Sequence, residues 1–493
     1  MKRDLERLSN ERFDLLVIGG GITGACVARD AALRGLSVAL VEKNDFACAT
    51  SAHNSKLIHG GLRYLRNFEL GLVRESLRER RIWQRVAPHL VHPLPFLIPL
   101  YGAGWKARAQ LAAGLTLYDV LSFDRGWLPD TAQRLPGHRW LDRTRALALE
   151  PSLDGASFEG AFEYYDAQMP SPERLALEIV KDAAANGAAV ANHLPAESLL
   201  LRGGRVEGAR VSDQFDGERF DVRASIALIA AGPWADLFLA QALGKPASHR
   251  LMRSKGIHLL VPAMTGGRAL TVAADGGHFF VLPWRGLSLL GTTDAVYTGS
   301  PDNVGVTESD IAQFLAFINK HLPSPPLKRD DVRHFYAGLR PLVDDGSGDT
   351  YDASRRAELI DHGREDGAAG LFSAIGGKWT TSRDLAEKTV DVIAARLKKS
   401  ARACTTSTAL LPPPLAELSE PDARIRFAIR DEMALTLEDV VMRRSGIGQT
   451  GDPGDAALNE MADVMAAELN WSADRKHSDI EAVKRNFRTR PEA

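Results

Sequence analysis

The chain has 493 residues, more than one ordinary core holds, so two or three domains are expected. Its 61 Lys and Arg against 63 Asp and Glu leave a formal charge of −2, which argues against nucleic acid as a partner, and 45% hydrophobic content is that of a globular protein. Three cysteines, Cys26, Cys48 and Cys404, show no C-x-x-C spacing, arguing against a disulfide framework or a zinc site and for a reducing compartment.

The opening MKRDLERLSNER is charged, unlike a signal peptide, and no run of roughly 18 apolar residues offers a membrane span. Residues 13–18 (FDLLVI) form an apolar run without helical period, the pattern of a strand buried on both faces of a parallel sheet. Gly19, Gly21 and Gly24 then make a G-x-G-x-x-G. Its first glycine permits a tight turn, the second lets backbone approach a pyrophosphate, and the third lets the next helix pack on the strand. That helix is expected over about residues 22–34, with its free N–H groups directed at a phosphate. Gly35 ends it, residues 37–41 read as a second strand, and Glu42 falls where an acid accepts the ribose hydroxyls of an adenine nucleotide. An ordinary βαβ unit is the plain alternative; strand, turn, helix, strand and acid in this order favour a dinucleotide site.

The next stretch, KNDFACATSAHNSKLIHGGLRYL, is too irregular for a strand or long helix. It lies where a dinucleotide continues past its pyrophosphate, so the hydroxyls of Thr50, Ser51 and Ser55 are candidate contacts. Residues 69–87 read as a helix with Arg74, Arg78, Arg81 and Arg85 on one face, a solvated stripe or, more sharply, a face for acidic lipid. Pro93, Pro95 and Pro99 make the following part extended, and the apolar, aromatic and basic residues up to Trp127 read equally as core, interface or membrane-dipping surface.

Ser171 and Pro172 start a helix, Gly203 and Gly204 mark a hairpin, and the buried run 226–231 ends at Gly232-Pro233-Trp234, where a third strand again meets a nucleotide. Between 250 and 294 the runs GIHLLVP, RALTVAA, HFFVLPW and LSLLGTTD predict an antiparallel sheet forming a separate substrate-facing layer. An amphipathic helix follows over 307–322, and VRHFYAGLRPL is a strand carrying Arg340. LFSAIGGKWTTSRDL (371–385) repeats the opening theme, with a helix expected from Thr380 or Thr381. From about 424 the chain reads as a small helical domain, tethered by a stiff proline segment.

Taken together, residues 13–42, TSAHNSKLIHGGLRYL (50–65), AAGPW (230–234), GIHLLVP (256–262), LLGTTD (289–294), AGLRPL (337–342) and GGKWTT (376–381) closely resemble the FAD-dependent glycerol-3-phosphate dehydrogenases, part of the D-amino-acid-oxidase-like flavoprotein group. The similarity spans about residues 10–400, and EMALTLEDVVMRRSG resembles the family's helical extension. Ala52, His53 and Asn54 depart from it, since the family more often has small residues there. The implied fold class is α/β. A Rossmann-like FAD-binding domain takes residues 10–90, 155–240 and 345–400, an antiparallel-sheet substrate domain 91–154 and 241–344, and a C-terminal helical domain 401–493.

The resemblance implies FAD as cofactor, sn-glycerol 3-phosphate as donor, dihydroxyacetone phosphate as product and a ubiquinone-type acceptor. It also implies a cytoplasmic location, peripherally on the inner face of the cell membrane, with a homodimer left open and no metal. The alternatives are an oxidase passing electrons to O2 and a non-catalytic FAD-binding partner protein. Implied FAD contacts are Gly19, Gly21, Ile22, Thr23 and Gly24 at the first turn, then Glu42 and Lys43. Thr50, Ser51, Ser55, Leu57, His59, Gly60 and Gly61 follow in the loop. Ala231, Gly232 and Trp234, then Gly376, Gly377, Lys378, Trp379, Thr380 and Thr381, complete the set.

Oxidising a secondary alcohol with flavin needs a hydride acceptor, a base and, for a phosphorylated substrate, fixed cations. His258 is the candidate base, against the plainer reading of a core histidine bonded to a carbonyl; His59 competes, as a structural group or flavin contact. Arg63 and Arg340, arriving from distant segments, are the expected phosphate clamps. Lys378 is placed to stabilise negative charge on the reduced flavin or to contact substrate, with Tyr64 and Thr381 as polar contacts.

Overall fold

The computed structural model describes residues 1–155, 157–274, 277–322, 325–343, 357–413 and 420–492. Strand Arg12–Ile18 lies at the centre of a sheet in the order Ala357–Asp361, Leu371–Gly376, Arg219–Ile229, Arg12–Ile18, Val38–Val41, Ala189–Ala191. All neighbours pair parallel except the edge strand Ala357–Asp361. The apolar run of the first strand serves two cores at once: Leu15 and Val17 pack into one, Leu16 and Ile18 into the other. The expected hairpin joins Ala196–Arg202 to Arg205–Ser212, with Gly203 and Gly204 both at positive φ. Helix Ile22–Leu33, built of small residues, is wedged against helices Pro172–Ala185 and Ser382–Leu397.

The second sheet is larger. Its main path runs Ala295–Tyr297, Leu251–Pro262, Leu287–Gly291, Gly277–Trp284, Ala269–Ala274, His92–Tyr101, Phe158–Gln168, Leu57–Ile58, and His334–Val343 pairs with Leu251–Pro262 off that path. The four runs between 250 and 294 thus form the expected antiparallel ladder. Phe158–Gln168, which a boundary at residue 155 assigns to the nucleotide half, pairs along its length with His92–Tyr101 and belongs to the second sheet. Sequence alternation cannot choose between two sheets; the partner strand does.

Two other expectations change. The arginine stripe on helix Leu70–Val86 is largely neutralised internally: Arg74 donates twice to Asp124 at 2.8 Å, Arg81 lies 3.0 Å from the same carboxylate, and Arg78 bonds Asp384, leaving Arg85 exposed. A lipid-facing basic stripe is therefore not available on this helix. The C-terminal helices Pro421–Glu432, Asp455–Leu469 and Ala473–Lys484 form their own core but are not merely tethered. Buried Asp45 accepts from Arg443 and Arg444 at 2.5 to 2.8 Å, and Glu432 accepts from Arg174 and Lys181 at 2.6 and 2.9 Å, fastening this unit to the first. The middle of the proline segment, residues 414–419, lies outside the described residues.

Candidate active site

The carboxyl ends of the parallel strands and the inner face of the second sheet enclose one continuous cleft of about 1580 Å³. That exceeds the few hundred to roughly 1,000 Å³ of a pocket for one drug-sized molecule, and suits an extended dinucleotide with a small second ligand. At the glycine turn, a Cβ on Gly19 would fall 2.6 Å from the Ala230 carbonyl oxygen, and one on Gly24 only 1.9 Å from that of Gly19. Both positions therefore demand glycine. Gly21, Ile22 and Thr23 line the cleft at the start of their helix, whose first turn holds no acid, so its N-terminal field is open to an anion in the cleft.

Glu42 is aimed by backbone: the Gly20 and Asn44 amides donate to its two oxygens at 2.6 and 2.8 Å. Each oxygen keeps a lone pair for a hydroxyl. Burial pushes this carboxyl above its usual value against those donors. Ser51 Oγ accepts from the Ile22 amide at 2.9 Å, joining loop to helix. Lys43 and Trp234 both donate to Asp302, at 2.8 and 2.9 Å, with Ala231 and Gly232 beside them in the wall. Thr50, Leu57, His59, Gly61, Gly376, Gly377, Trp379 and Thr380 line the continuation. Gly24, Gly60 and Thr381 stand behind the wall; the Gly60 amide donates to Tyr118 Oη at 3.0 Å, and Thr381 Oγ1 to the Lys378 carbonyl at 3.4 Å. The glycine cradle, the helix terminus and the carboxylate fit the phosphates and ribose of FAD.

Strand register builds the other end. His258 faces Tyr336, Gly256 faces Gly338 and Ser254 faces Arg340 across one antiparallel pair. The glycine pair makes room: a Cβ on Gly256 would meet Arg340 Nη2 at 2.5 Å, and one on Gly338 the His53 carbonyl oxygen at 2.1 Å. The Arg340 guanidinium donates to Ser254 Oγ and Thr292 Oγ1, both at 3.0 Å, and lines the cleft. His258 lies one layer deeper, 2% exposed, stacked on Tyr336 at 4.9 Å, and its Nε2 is joined to Ser55 Oγ at 2.9 Å. Burial, then the charges of Arg340 and Lys56, hold its pKa well below the ordinary histidine value. The imidazole is neutral, and Ser55 is what reaches the cleft.

Arg63 and Lys378 arrive from the opposite side and share the Tyr64 ring, at 4.9 and 4.3 Å from its centroid. Lys378 Nζ also donates to Ser76 Oγ at 2.7 Å, and burial lowers its pKa. His59 and His278 join this group, pushed down to about 3 and about 4 by burial and then by neighbouring cations.

Three side chains here escaped sequence reading. His278 lines the cleft from the middle of a hairpin with no motif to mark it. Tyr336 was within reach, because alternation puts 334, 336, 338 and 340 on one strand face with Arg340. Lys56 had no signal at all. It is 3% exposed, donates to the Ala52 carbonyl at 2.6 Å, lies 4.9 Å from the Tyr336 centroid, and burial lowers it to about 8. Elsewhere, Asp45, His193 and Asp439 bring metal-binding atoms within 4.8 Å, but the Arg443 and Arg444 guanidiniums already supply that cluster's cations.

A two-sheet architecture with a glycine cradle leading to a histidine, two arginines and a lysine defines a dinucleotide-dependent oxidoreductase. Residues 14–391 match the FAD dependent oxidoreductase family, and 416–476 match the C-terminal domain of alpha-glycerophosphate oxidase. The chain is 36% identical to the glycerol-3-phosphate dehydrogenase of Synechocystis sp. over 97% of both chains. It is 34% identical to that of Mycobacterium leprae, covering 99% of this chain and 89% of the relative. Among solved structures, the glycerol-3-phosphate dehydrogenase from Bacillus halodurans complexed with FAD matches with a TM-score of 0.75 and 27% identity over 98% of this chain and 95% of that one. The chain belongs to the FAD-dependent glycerol-3-phosphate dehydrogenase family.

Proposed function

We propose that this enzyme oxidises sn-glycerol 3-phosphate to dihydroxyacetone phosphate and passes the electrons to a ubiquinone-type acceptor at the inner face of the cell membrane. The observation that carries the reading is the convergence of Arg340, Ser55, Arg63, Tyr64 and Lys378 on one cleft, with the neutral His258 directly behind Ser55. FAD, when bound, supplies the hydride-accepting ring. Arg340, held by Ser254 and Thr292, offers a fixed fork to phosphate oxygens, and Arg63 with Lys378 adds positive charge across the cleft. In the tautomer carrying its proton on Nδ1, His258 Nε2 accepts from Ser55, whose hydroxyl bridges the imidazole to the alcohol that loses its proton. Two arginines and a lysine suit a phosphate dianion better than a single carboxylate. The domain division follows the two sheets and the C-terminal helices, and assembly as a homodimer belongs to the same proposal.

Anaerobic titration of the purified flavoprotein with glycerol 3-phosphate tests this: the flavin absorbance bleaches, and FAD-loaded protein that stays oxidised rejects the reading. The match to an oxidase's C-terminal domain makes O2 the second acceptor to weigh. Stoichiometric peroxide under air, without a dye or quinone, would establish it.

A further inference from the structure

Beside the proposed phosphate clamp stands an acid. Thr292, Thr293 and Asp294 follow strand Leu287–Gly291 and fold around the Arg340 guanidinium. Thr292 Oγ1 accepts from Nη2 at 3.0 Å, and the Thr293 carbonyl accepts from Nη1 and Nη2 at 3.4 and 3.3 Å. Asp294 Oδ1 lies 3.9 Å from Nη1, too far for a hydrogen bond but near enough for its charge to act. Its link to the guanidinium runs through Ser254. That buried hydroxyl donates to Asp294 Oδ1 and accepts from Arg340 Nη1 at 3.0 Å. A hydroxyl has one proton, so giving it to Asp294 turns a lone pair toward the arginine.

An acid is an unfavourable neighbour for a site that holds an anion. Arg340, Thr292 and Asp294 all line the cleft. The other acids in its wall are engaged away from Arg340: Glu42 takes the Gly20 and Asn44 amides, Asp166 takes Arg80 and Tyr118, and Asp302 takes Lys43 and Trp234. The proposed reaction gives this placement a reason. Oxidation turns an alcohol into a ketone and leaves the phosphate untouched, so every phosphate contact holds product as firmly as substrate. A fork with its full charge, helped by Arg63 and Lys378, would retain the ketone.

We infer that Asp294 is a positioning residue with two effects on Arg340: through Ser254 it fixes the direction of the fork, and by its charge it moderates the hold on phosphate so that the phosphorylated ketone leaves. The inference deepens the proposed function and rests on it for the identity of the anion.

Asp294→Asn keeps an oxygen for the Ser254 hydroxyl and removes only the charge, whereas Asp294→Ala removes both. In dye-coupled kinetics of the FAD-loaded protein, KM for glycerol 3-phosphate and the inhibition constant of dihydroxyacetone phosphate should both fall about three- to tenfold in Asp294→Asn. In Asp294→Ala both should rise, although the same charge is gone, because the fork is no longer aimed. Inorganic phosphate, titrated into the oxidised enzyme by calorimetry, should bind more tightly to the first variant and more weakly to the second. Constants unchanged in Asp294→Asn, or shifted in one direction in both variants, overturn the inference. Should Asp294→Asn fail to hold flavin, Ser254→Ala decides: a KM raised more than kcat is lowered supports the link, and an unchanged KM overturns it. The phosphate titration needs no turnover, so a protein that glycerol 3-phosphate does not bleach rejects the proposed reaction while still reporting on Asp294.

Discussion

The tasks proposed for His258, Arg340 and Lys56 differ, and substitution separates them. His258→Asn removes the proposed proton acceptor, so dye-coupled kcat drops by about 10²–10⁴ with KM little changed. Arg340→Ala removes a charge-assisted fork, so KM for glycerol 3-phosphate rises strongly; an unchanged KM would take Arg340 out of the substrate site. Lys56 behaves unlike either. Burial holds its ammonium down at about 8, worth on the order of 3 kcal/mol, against ~1 kcal/mol for its hydrogen bond to Ala52. Lys56→Met therefore melts at higher temperature at neutral pH. Because its folded pKa lies below its unfolded one, the penalty is complete below about pH 8 and relieved as pH rises toward the unfolded value, so wild type regains stability over pH 8–10 and the variant does not. Losing this charge also lets His258 protonate more readily, and the acid limb of kcat/KM moves to higher pH. A variant neither stabler nor shifted would reduce Lys56 to a packing residue.

At the level of elements, the first turn and the C-terminal dock are the sensitive joints. Gly24→Ala places a methyl group 1.9 Å from the Gly19 carbonyl, so helix Ile22–Leu33 must move off strand Arg12–Ile18. The expected result is protein that purifies without yellow colour, and a normal flavin spectrum would show that the turn has slack. For the dock, burial raises the Glu432 carboxyl, but Arg174 and Lys181 outweigh it and hold the group at about 2. A carboxyl lowered on folding stabilises fully above its unfolded pKa and loses that contribution as pH falls toward 2, on the order of 3 kcal/mol. Hydrogen exchange in Pro421–Glu432, taken relative to the intrinsic amide rate at each pH, should thus accelerate between pH 4.5 and 3 in wild type. In Glu432→Gln it should be fast already at pH 6. His193, raised by its Asp439 partner against burial, has the opposite sign: its contribution is present below the unfolded histidine value and fades at alkaline pH.

For the whole molecule, the cleft lies between the two sheets, so a ligand spanning it cross-links both cores. FAD at about 100 times its Kd adds roughly 2.7 kcal/mol to stability. Deflavinated protein should melt at lower temperature and recover with FAD but not FMN, since only FAD carries the adenine nucleotide for which Glu42 and the glycine turn are the proposed cradle. Equal recovery with FMN would mean that the cradle does not bind the dinucleotide.

Local order was legible from residues alone because it follows local rules. A glycine turn between two apolar strands, a period-two ladder from 251 to 291, and glycine turns at the strand ends leave little choice of fold. The family resemblance then pointed to FAD and to a set of contacts of which Gly24, Gly60, Thr381 and the candidate base His258 stand behind the cleft wall. Partnership was not legible. Arg74 and Arg81 read as a basic face until Asp124, about 50 residues away, neutralised them, and Asp45 gave no sign that Arg443 and Arg444 would close on it. The buried Lys56 belongs to the same class. Burial and pairing depend on which distant segment packs alongside, and only the tertiary structure decides that.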